Sequence, residues 1–129
     1  MPRIIVLLCL AWLSLVTPAA AAGSPSEAYL AYHAALKTSL SDTAIWPYYL
    51  STAREEFQRK YPPEMRGRVF YMMKTTSPSA VRVVREQIEG EQATLTVRPT
   101  SGDERLIGTA VLRQEAGQWK LEKVVWRQE

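Results

Sequence analysis

The sequence predicts an α+β domain in which N-terminal helices pack on one face of a curved, four-stranded antiparallel meander. Apolar residues recur at helical spacings of three and four up to about Lys74, and they alternate with polar residues from Ala80 onward. Short segments of turn-forming residues divide the alternating part into four strands. Strands joined by short connections pair antiparallel, and helices that precede such a sheet cover one of its faces.

The N-terminal residues have the pattern of a cleaved export signal. Arg3 precedes an uncharged apolar run over residues 4–16, and four alanines at 19–22 supply the small side chains that a signal peptidase needs. The run is shorter than the ~20 residues of a membrane-spanning helix. We therefore expect a signal peptide over 1–22 and a single domain over 23–129. This domain should be periplasmic or secreted and should have no membrane span.

The composition excludes several kinds of chemistry. Cys9 is the only cysteine and lies in the predicted signal, so the processed domain has no thiol and no disulfide. A single histidine, His33, cannot build a histidine-rich metal site, and the carboxylates do not follow calcium-loop spacing. Without Arg3, 15 basic and 13 acidic side chains remain, which is unlike the dense one-sided charge of a nucleic-acid binder. We expect no metal, no cofactor and no nucleic-acid partner.

The first helix of the domain is predicted from its N-terminal residues and its apolar stripe. Ser24 and Glu27 are spaced as a capping box, and Pro25 between them suits the first helical position. The stripe that this helix should bury comprises Tyr29, Tyr32, Leu36 and Leu40.

Shorter helical segments follow the first helix. Residues 41–43 end it and predict a cap, with Asp42 as a favoured capping residue, for a short helix over 45–50. Residues 52–55 form a second capping box for a helix that runs to Lys60. The last helix, after two consecutive prolines, is predicted to bury Met65, Val69 and Met72, with Phe70 and Met73 beside them.

Alternation of apolar and polar residues, broken by glycine-containing turns, predicts the strands. Gly108 in the third strand marks a bend or a bulge. In the last strand, Trp119 and Trp126 have opposite parity, so a register change is expected near Lys123. The predicted strands cover residues 81–88, 93–98, 106–114 and 119–127.

The C-terminal pattern and the first helix together resemble a known superfamily. A strand with residues 108–112, a turn at Gly117 and a last strand with residues 119–121 and 125–126 follow a tyrosine-containing helix at 28–32. This order resembles the small exported members of the nuclear transport factor 2-like (cystatin-like) superfamily, which are cone-shaped α+β domains. The resemblance covers nearly the whole predicted domain and includes no catalytic signature. It implies a curved sheet wrapped around helices, with a pocket at the open end of the cone.

The resemblance places the candidate site on the early helices. Because no catalytic set can be placed, the first hypothesis is an exported, non-catalytic binding or interaction module for a small molecule or a protein. Packing in the core is the alternative role for the same aromatic residues. The side chains expected at the cone mouth are Tyr32, His33, Trp46, Tyr48 and Tyr49.

A second hypothesis makes the protein an isomerase, dehydratase or hydrolase that acts on a small molecule. His33 or Asp42 would then be the general base. The ketosteroid isomerase branch of the superfamily combines an aspartate base with a tyrosine and a neutral aspartic acid. That pair cannot be placed here, because the only other aspartate, Asp103, lies in a predicted turn. A histidine at the edge of the core and an aspartate that caps a helix are the structural alternatives.

The residues of the first two strands that face away from the helices are mostly polar or charged. Such residues are typical of a solvated sheet face. The resemblance also implies that this outer face serves homodimer packing in some members, and both interpretations remain open. The residues concerned are Arg82, Arg85, Thr94, Thr96 and Arg98, together with Val84.

Overall fold

The computed structural model describes residues 23–129, so the predicted signal over 1–22 lies outside the described residues. Helices come first and four strands follow, which confirms the predicted α+β class. No helix in the described range is long and apolar enough to cross a membrane. The elements are α1 (Pro25–Thr38), two 3₁₀ helices (Asp42–Ala44 and Trp46–Tyr48), α2 (Ser51–Lys60), α3 (Pro63–Thr76), β1 (Val81–Glu89), β2 (Gln92–Pro99), β3 (Leu106–Glu115) and β4 (Gln118–Gln128).

The four strands form one antiparallel sheet in the order β1-β2-β3-β4, as the short turns between them require. A bulge interrupts the register in each edge strand. Val84 is the extra residue in β1, and Glu122 is the extra residue in β4. The second bulge confirms the register change predicted near Lys123. Since a bulge bends its strand and increases the local twist, the two bulges account for the curvature of the sheet.

Gly108 makes room for an indole ring rather than forming a bulge. It keeps its register with Val97 on one side and with Trp126 on the other. A β-carbon at this position would lie 2.8 Å from the Trp126 ring, which is too close for two carbon atoms. Of the bend or bulge predicted at Gly108, the bulge is therefore absent. A glycine is needed there because a large side chain covers the strand.

The helices pack on the face of the sheet that carries the apolar residues of each strand, and this is the inner face. Ala93, Leu95 and Val97 of β2 are fully buried on it. Tyr29 and Leu36 of α1 belong to the same cluster of buried side chains. The other members of this core are Tyr32, Ile45, Trp46, Phe70, Ala110, Leu112, Trp119 and Leu121.

The faces predicted for α1 and α3 need correction. Leu40, predicted to extend the α1 stripe, is 96% exposed because α1 ends at Thr38. In α3, Met65 and Met72 are 44% and 58% exposed, whereas Phe70 is buried. An aromatic ring removes more apolar area from water than a methionine side chain does. This difference favours the rotation of α3 that buries Phe70.

The N-termini of α1 and α2 are satisfied in different ways. In α1 the predicted capping box is present: the Glu27 amide donates to Ser24 Oγ at 3.1 Å, and the Ser24 amide donates to Glu27 Oε2 at 3.3 Å. The box predicted over 52–55 is absent, because α2 begins at Ser51. The Ser51 amide donates instead to the Glu115 carboxylate at the end of β3, at 3.2 Å. A residue far along the chain therefore replaces the local cap.

Candidate functional site

A small cavity lies between α1, α3 and β4, on the inner side of the sheet. Its volume is about 150 Å³, and its wall includes Tyr32, His33 and Tyr49, which are three of the five residues predicted for the cone mouth. The exposed Thr76 also lines it, so the cavity reaches the surface at the end of α3. The remaining lining residues are Tyr29, Met73, Ser77, Val124 and Trp126.

Tyr49 enters this cavity because its segment pairs with the edge of the sheet. Tyr49 forms a parallel bridge with Leu121 of β4, and the Leu50 amide donates to the Leu121 carbonyl at 2.9 Å. The Tyr49 ring lies edge-on to the Tyr32 ring, with 5.3 Å between the centroids. Tyr49 Oη donates to Tyr32 Oη at 3.0 Å. The Tyr32 hydroxyl therefore keeps its own hydrogen for a further acceptor.

The three tyrosines of the cavity stay protonated at neutral pH. Burial raises the pKa of Tyr29, and the neighbouring Tyr32 adds to the increase. Burial also raises the pKa of Tyr32, although the hydrogen bond with Tyr49 opposes this effect. Burial raises the pKa of Tyr49 well above its ordinary value. The hydroxyl groups are therefore neutral and can donate hydrogen bonds inside the cavity.

Among residues 23–129, one buried side-chain nitrogen or oxygen has no hydrogen-bond partner, and it belongs to His33. The side chain is 6% exposed, and the atom is Nε2. Burial lowers the pKa of His33, backbone hydrogen bonding at Ser79 and Pro78 opposes this, and the charge of Lys37 lowers it further. The imidazole is therefore neutral at pH 7. A buried polar atom without a partner costs about 1–3 kcal/mol, so a hydrogen bond from water or a ligand to Nε2 would be favourable.

Two lysines hold the C-terminal ends of α1 and α3 together beside the cavity. Lys37 Nζ donates to the carbonyls of Lys74 and Ser77 at 2.7 and 2.9 Å. Lys74 Nζ donates to the Ser39 carbonyl at 2.7 Å. Each ammonium group satisfies carbonyls at the end of the other helix, where the helix dipole favours a positive charge. This reciprocal contact fixes Ser77 in the wall of the cavity.

Trp46 and Tyr48, the other two residues predicted for the cone mouth, do not line this cavity. The Trp46 ring packs between those of Tyr49 and Phe57, with centroids 5.3 and 4.5 Å away. Trp46 therefore supports Tyr49 without reaching the cavity. Tyr48 lines a separate surface groove beside Trp119. The 3₁₀ helix Trp46–Tyr48 has three residues per turn, so its consecutive side chains point about 120° apart.

Asp42, the second candidate general base, lies in a different groove. Its carboxylate accepts a hydrogen bond from Trp46 Nε1 at 3.0 Å. The groove has a volume of about 400 Å³ and also contains Arg54 and Arg66. Ser41, rather than Asp42, is the N-cap of the first 3₁₀ helix, so the predicted capping role moves by one residue. Asp42 and the tyrosine hydroxyls belong to separate sites.

A groove with an aromatic wall adjoins the cavity. It has a volume of about 210 Å³ and shares Tyr49 and Met73 with the cavity. The Phe57 ring packs against Trp46 and against Tyr61, with centroids 4.5 and 5.1 Å away. Tyr49 and Met73 thus separate a cavity with polar groups from an aromatic groove.

Six residues of the cavity wall are not among the predicted site residues, and Met73 and Trp126 are two of them. A signal for Trp126 exists in the sequence, because the register change near Lys123 moves even-numbered residues of β4 to the inner face. Met73 follows Phe70 by three residues on α3, so burial of Phe70 brings Met73 toward the core as well. No local pattern predicts the lysine contact at Ser77.

No family model matches the chain, and no curated protein matches it. Among solved structures, a de novo designed protein with a curved β-sheet matches at 20% sequence identity with a TM-score of 0.35. The match covers 50% of this chain and 57% of the designed protein, so the chain spans little more than half of that protein's length. A likeness at this level carries no argument about family, ligand or activity.

Proposed function

We propose that this protein is a non-catalytic binding domain that holds a small, neutral ligand in the cavity of Tyr32, His33 and Tyr49. The observation that carries the proposal is that His33, whose buried Nε2 has no hydrogen-bond partner among residues 23–129, lines the same cavity as Tyr32 and Tyr49. We also propose that the chain is a small exported member of the nuclear transport factor 2-like superfamily. The order of helices followed by a four-stranded meander supports this assignment, as does the sequence pattern of the export signal.

The size and chemistry of the cavity define the class of ligand. A volume of about 150 Å³ is close to that of a known engineered cavity that binds benzene. Tyr32 Oη has a hydrogen to donate, and neutral Nε2 of His33 accepts or donates according to its tautomer. A charged group buried here has no counter-ion in the wall, because none of the lining residues carries a charge at pH 7. The ligand is therefore a neutral, ring-sized compound with a carbonyl or hydroxyl group.

Calorimetric titration with phenol and with cyclohexanone tests this function. Loss of the Tyr32 hydroxyl in Tyr32→Phe removes one hydrogen bond and should weaken binding by about two- to tenfold. Tyr48→Phe is the matched control, because Tyr48 lies outside the cavity and its hydroxyl should not matter. Equal affinities of the Tyr32→Phe variant and the wild type, or no binding of either probe, would overturn the proposal.

One observation also supports the enzymatic alternative. Burial keeps His33 unprotonated, so it is able to take a proton from a carbon next to a carbonyl group held by Tyr32. The electron pair of the broken C–H bond would move to the carbonyl oxygen, where the Tyr32 hydroxyl stabilises it. This role predicts exchange of the α-hydrogens of cyclohexanone in D₂O, measured by NMR, and its loss in His33→Gln. If the α-hydrogens exchange no faster with the protein than in buffer alone, the enzymatic alternative is wrong and only the binding function remains.

A further inference from the structure

The outer face of the sheet, opposite the helices, carries a strong excess of positive charge. The strand register assigns alternate residues to this face, with the bulge residues Val84 and Glu122 set aside. Glu89 and Glu115 are the acidic residues at these positions of the described strands, and the Glu115 carboxylate accepts a hydrogen bond from the Ser51 amide. The basic residues on the outer face are Arg82, Arg85, Arg98, Arg113, Lys120, Lys123 and Arg127.

Several of these charges have no partner inside the domain. Two of the arginines form ion pairs with acids at the edge of the sheet, Arg98 with Glu129 at 2.9 Å and Arg113 with Glu122 at 3.2 Å. Lys120 Nζ donates to the Pro47 carbonyl. The basic side chains that make no ion pair and no hydrogen bond within residues 23–129 are Arg82, Arg85, Lys123 and Arg127, and all four are exposed.

The chemistry of the face distinguishes between classes of partner. Its positions in the described strands include no aromatic residue, whereas the centre of a protein interface is typically built on Tyr, Trp or Met anchors. Ile107 and Val111 face outward but are buried beneath their neighbours, and Val125 is the exposed apolar residue. Single-stranded nucleic acid needs aromatic side chains for base stacking. A second copy of the same face would bring like charges together.

We propose that the outer face of the sheet binds the headgroups of an anionic phospholipid bilayer, with the domain lying on the membrane surface. Lipid headgroups move laterally, so they can match basic residues spread over four strands without a shaped pocket. Each Lys or Arg near an anionic membrane strengthens binding by about fivefold. The interaction does not involve the cavity and is independent of the ligand proposed for it.

Sedimentation with lipid vesicles tests the proposal on the whole domain. The vesicles contain either equal parts of phosphatidylglycerol and phosphatidylcholine or phosphatidylcholine alone. The domain should bind the anionic vesicles, bind the neutral ones at least about tenfold more weakly, and dissociate when salt is raised to about 500 mM. The double variant Arg82→Glu, Arg127→Glu should lose at least about tenfold in binding.

The matched control is the double variant Arg59→Glu, Arg68→Glu, which makes the same change in net charge with exposed arginines on α2 and α3. It should retain binding within about threefold, because these side chains lie on helices rather than on the outer face. Circular dichroism verifies that both variants are folded. Equal losses in the two variants would overturn the assignment to this face, since net charge alone would then explain the binding.

Three other results would overturn the proposal. One is failure of the wild-type domain to bind anionic vesicles. Another is tighter binding to an acidic peptide or to DNA than to the vesicles, which would assign the face to a different class of partner. The third is a dimer in sedimentation equilibrium that the Arg82→Glu, Arg127→Glu variant abolishes. That result would make the outer face the predicted homodimer interface.

Discussion

The inner and outer faces of the sheet are formed by the same four strands, and alternate residues of each strand divide between them. Leu95 and Val97 of β2 are fully buried on the inner face, whereas Thr96 and Arg98 of the same strand lie on the outer face. Helices cover the first pair, and charged neighbours surround the second. The stability of the domain and the recognition of a partner can therefore depend on different residues of one strand.

Truncation of Trp119 should weaken the inner face most severely. Its indole is part of the buried core, so Trp119→Ala leaves a cavity and should lower the free energy of unfolding by about 3–5 kcal/mol. Urea denaturation followed by circular dichroism measures this change. Val125→Ala in the same strand is the matched control, because Val125 is on the outer face and 55% exposed. It should change stability by less than about 0.5 kcal/mol, and similar losses at both positions would contradict the division between the faces.

A methyl group at Gly108 tests how closely the inner face is packed. The added carbon would lie 2.8 Å from the Trp126 ring, so Gly108→Ala should destabilise the domain by about 1–3 kcal/mol. Gly108 does not have a positive φ, and therefore alanine meets no backbone strain. In a double-mutant cycle, Trp126→Leu should relieve part of the loss by making space. Strictly additive losses would show that the indole is not the obstacle.

The parts of the fold with local signals could be predicted from the sequence. Alternation of apolar residues gave the four strands, and Ser24 with Glu27 gave the start of α1. The buried face of α3 could not be predicted in the same way, because α3 carries apolar residues on more than one side. Met72 and Phe70 both fit a helical stripe, and packing against α1 and the sheet decides between them.

The candidate site could be predicted only where its residues are close in the sequence. Tyr32 and His33 are adjacent on α1, and both line the cavity. Tyr49 joins them through its bridge to Leu121 of β4, a contact between distant segments that no periodicity shows. The cap of α2 is also a contact between distant segments, since Glu115 accepts a hydrogen bond from the Ser51 amide, 64 residues away in the sequence. Tertiary pairing, rather than local preference, assembles these parts.

Acidic pH should lower the free energy of unfolding of the domain through protonation of His33, which lies on its inner side. Burial lowers the pKa of His33 in the folded state, so the unfolded chain binds a proton more tightly. Unfolding then takes up a proton below about pH 6.5, and the free energy of unfolding falls from that pH down to the folded pKa. Above about pH 6.5 the group is neutral in both states and contributes no pH dependence.

Urea denaturation of the wild type and of His33→Gln between about pH 5 and pH 8 isolates this contribution, because other titrating groups affect both proteins alike. As the pH falls, the free energy of unfolding of the wild type should decrease more than that of His33→Gln. The cavity tyrosines stay protonated over this range and do not interfere. Parallel pH profiles would show that protonation of His33 has no cost in the folded state.

The smallest expected effect is on the outer face, where removal of a charge should stabilise the domain. Arg82 lies directly opposite Arg98 in the β1–β2 register, and like charges at such a pair are unfavourable. Arg82→Gln should therefore raise the free energy of unfolding by about 0.2–0.5 kcal/mol in low salt, and the gain should shrink at about 500 mM salt as the charges are screened.

Arg68→Gln on α3 is the matched control. Arg68 follows Glu64 by four residues, so its removal should give a small loss instead of a gain. A loss of more than about 0.5 kcal/mol in Arg82→Gln would mean that Arg82 stabilises the fold, and the outer face would then not be free to serve recognition alone.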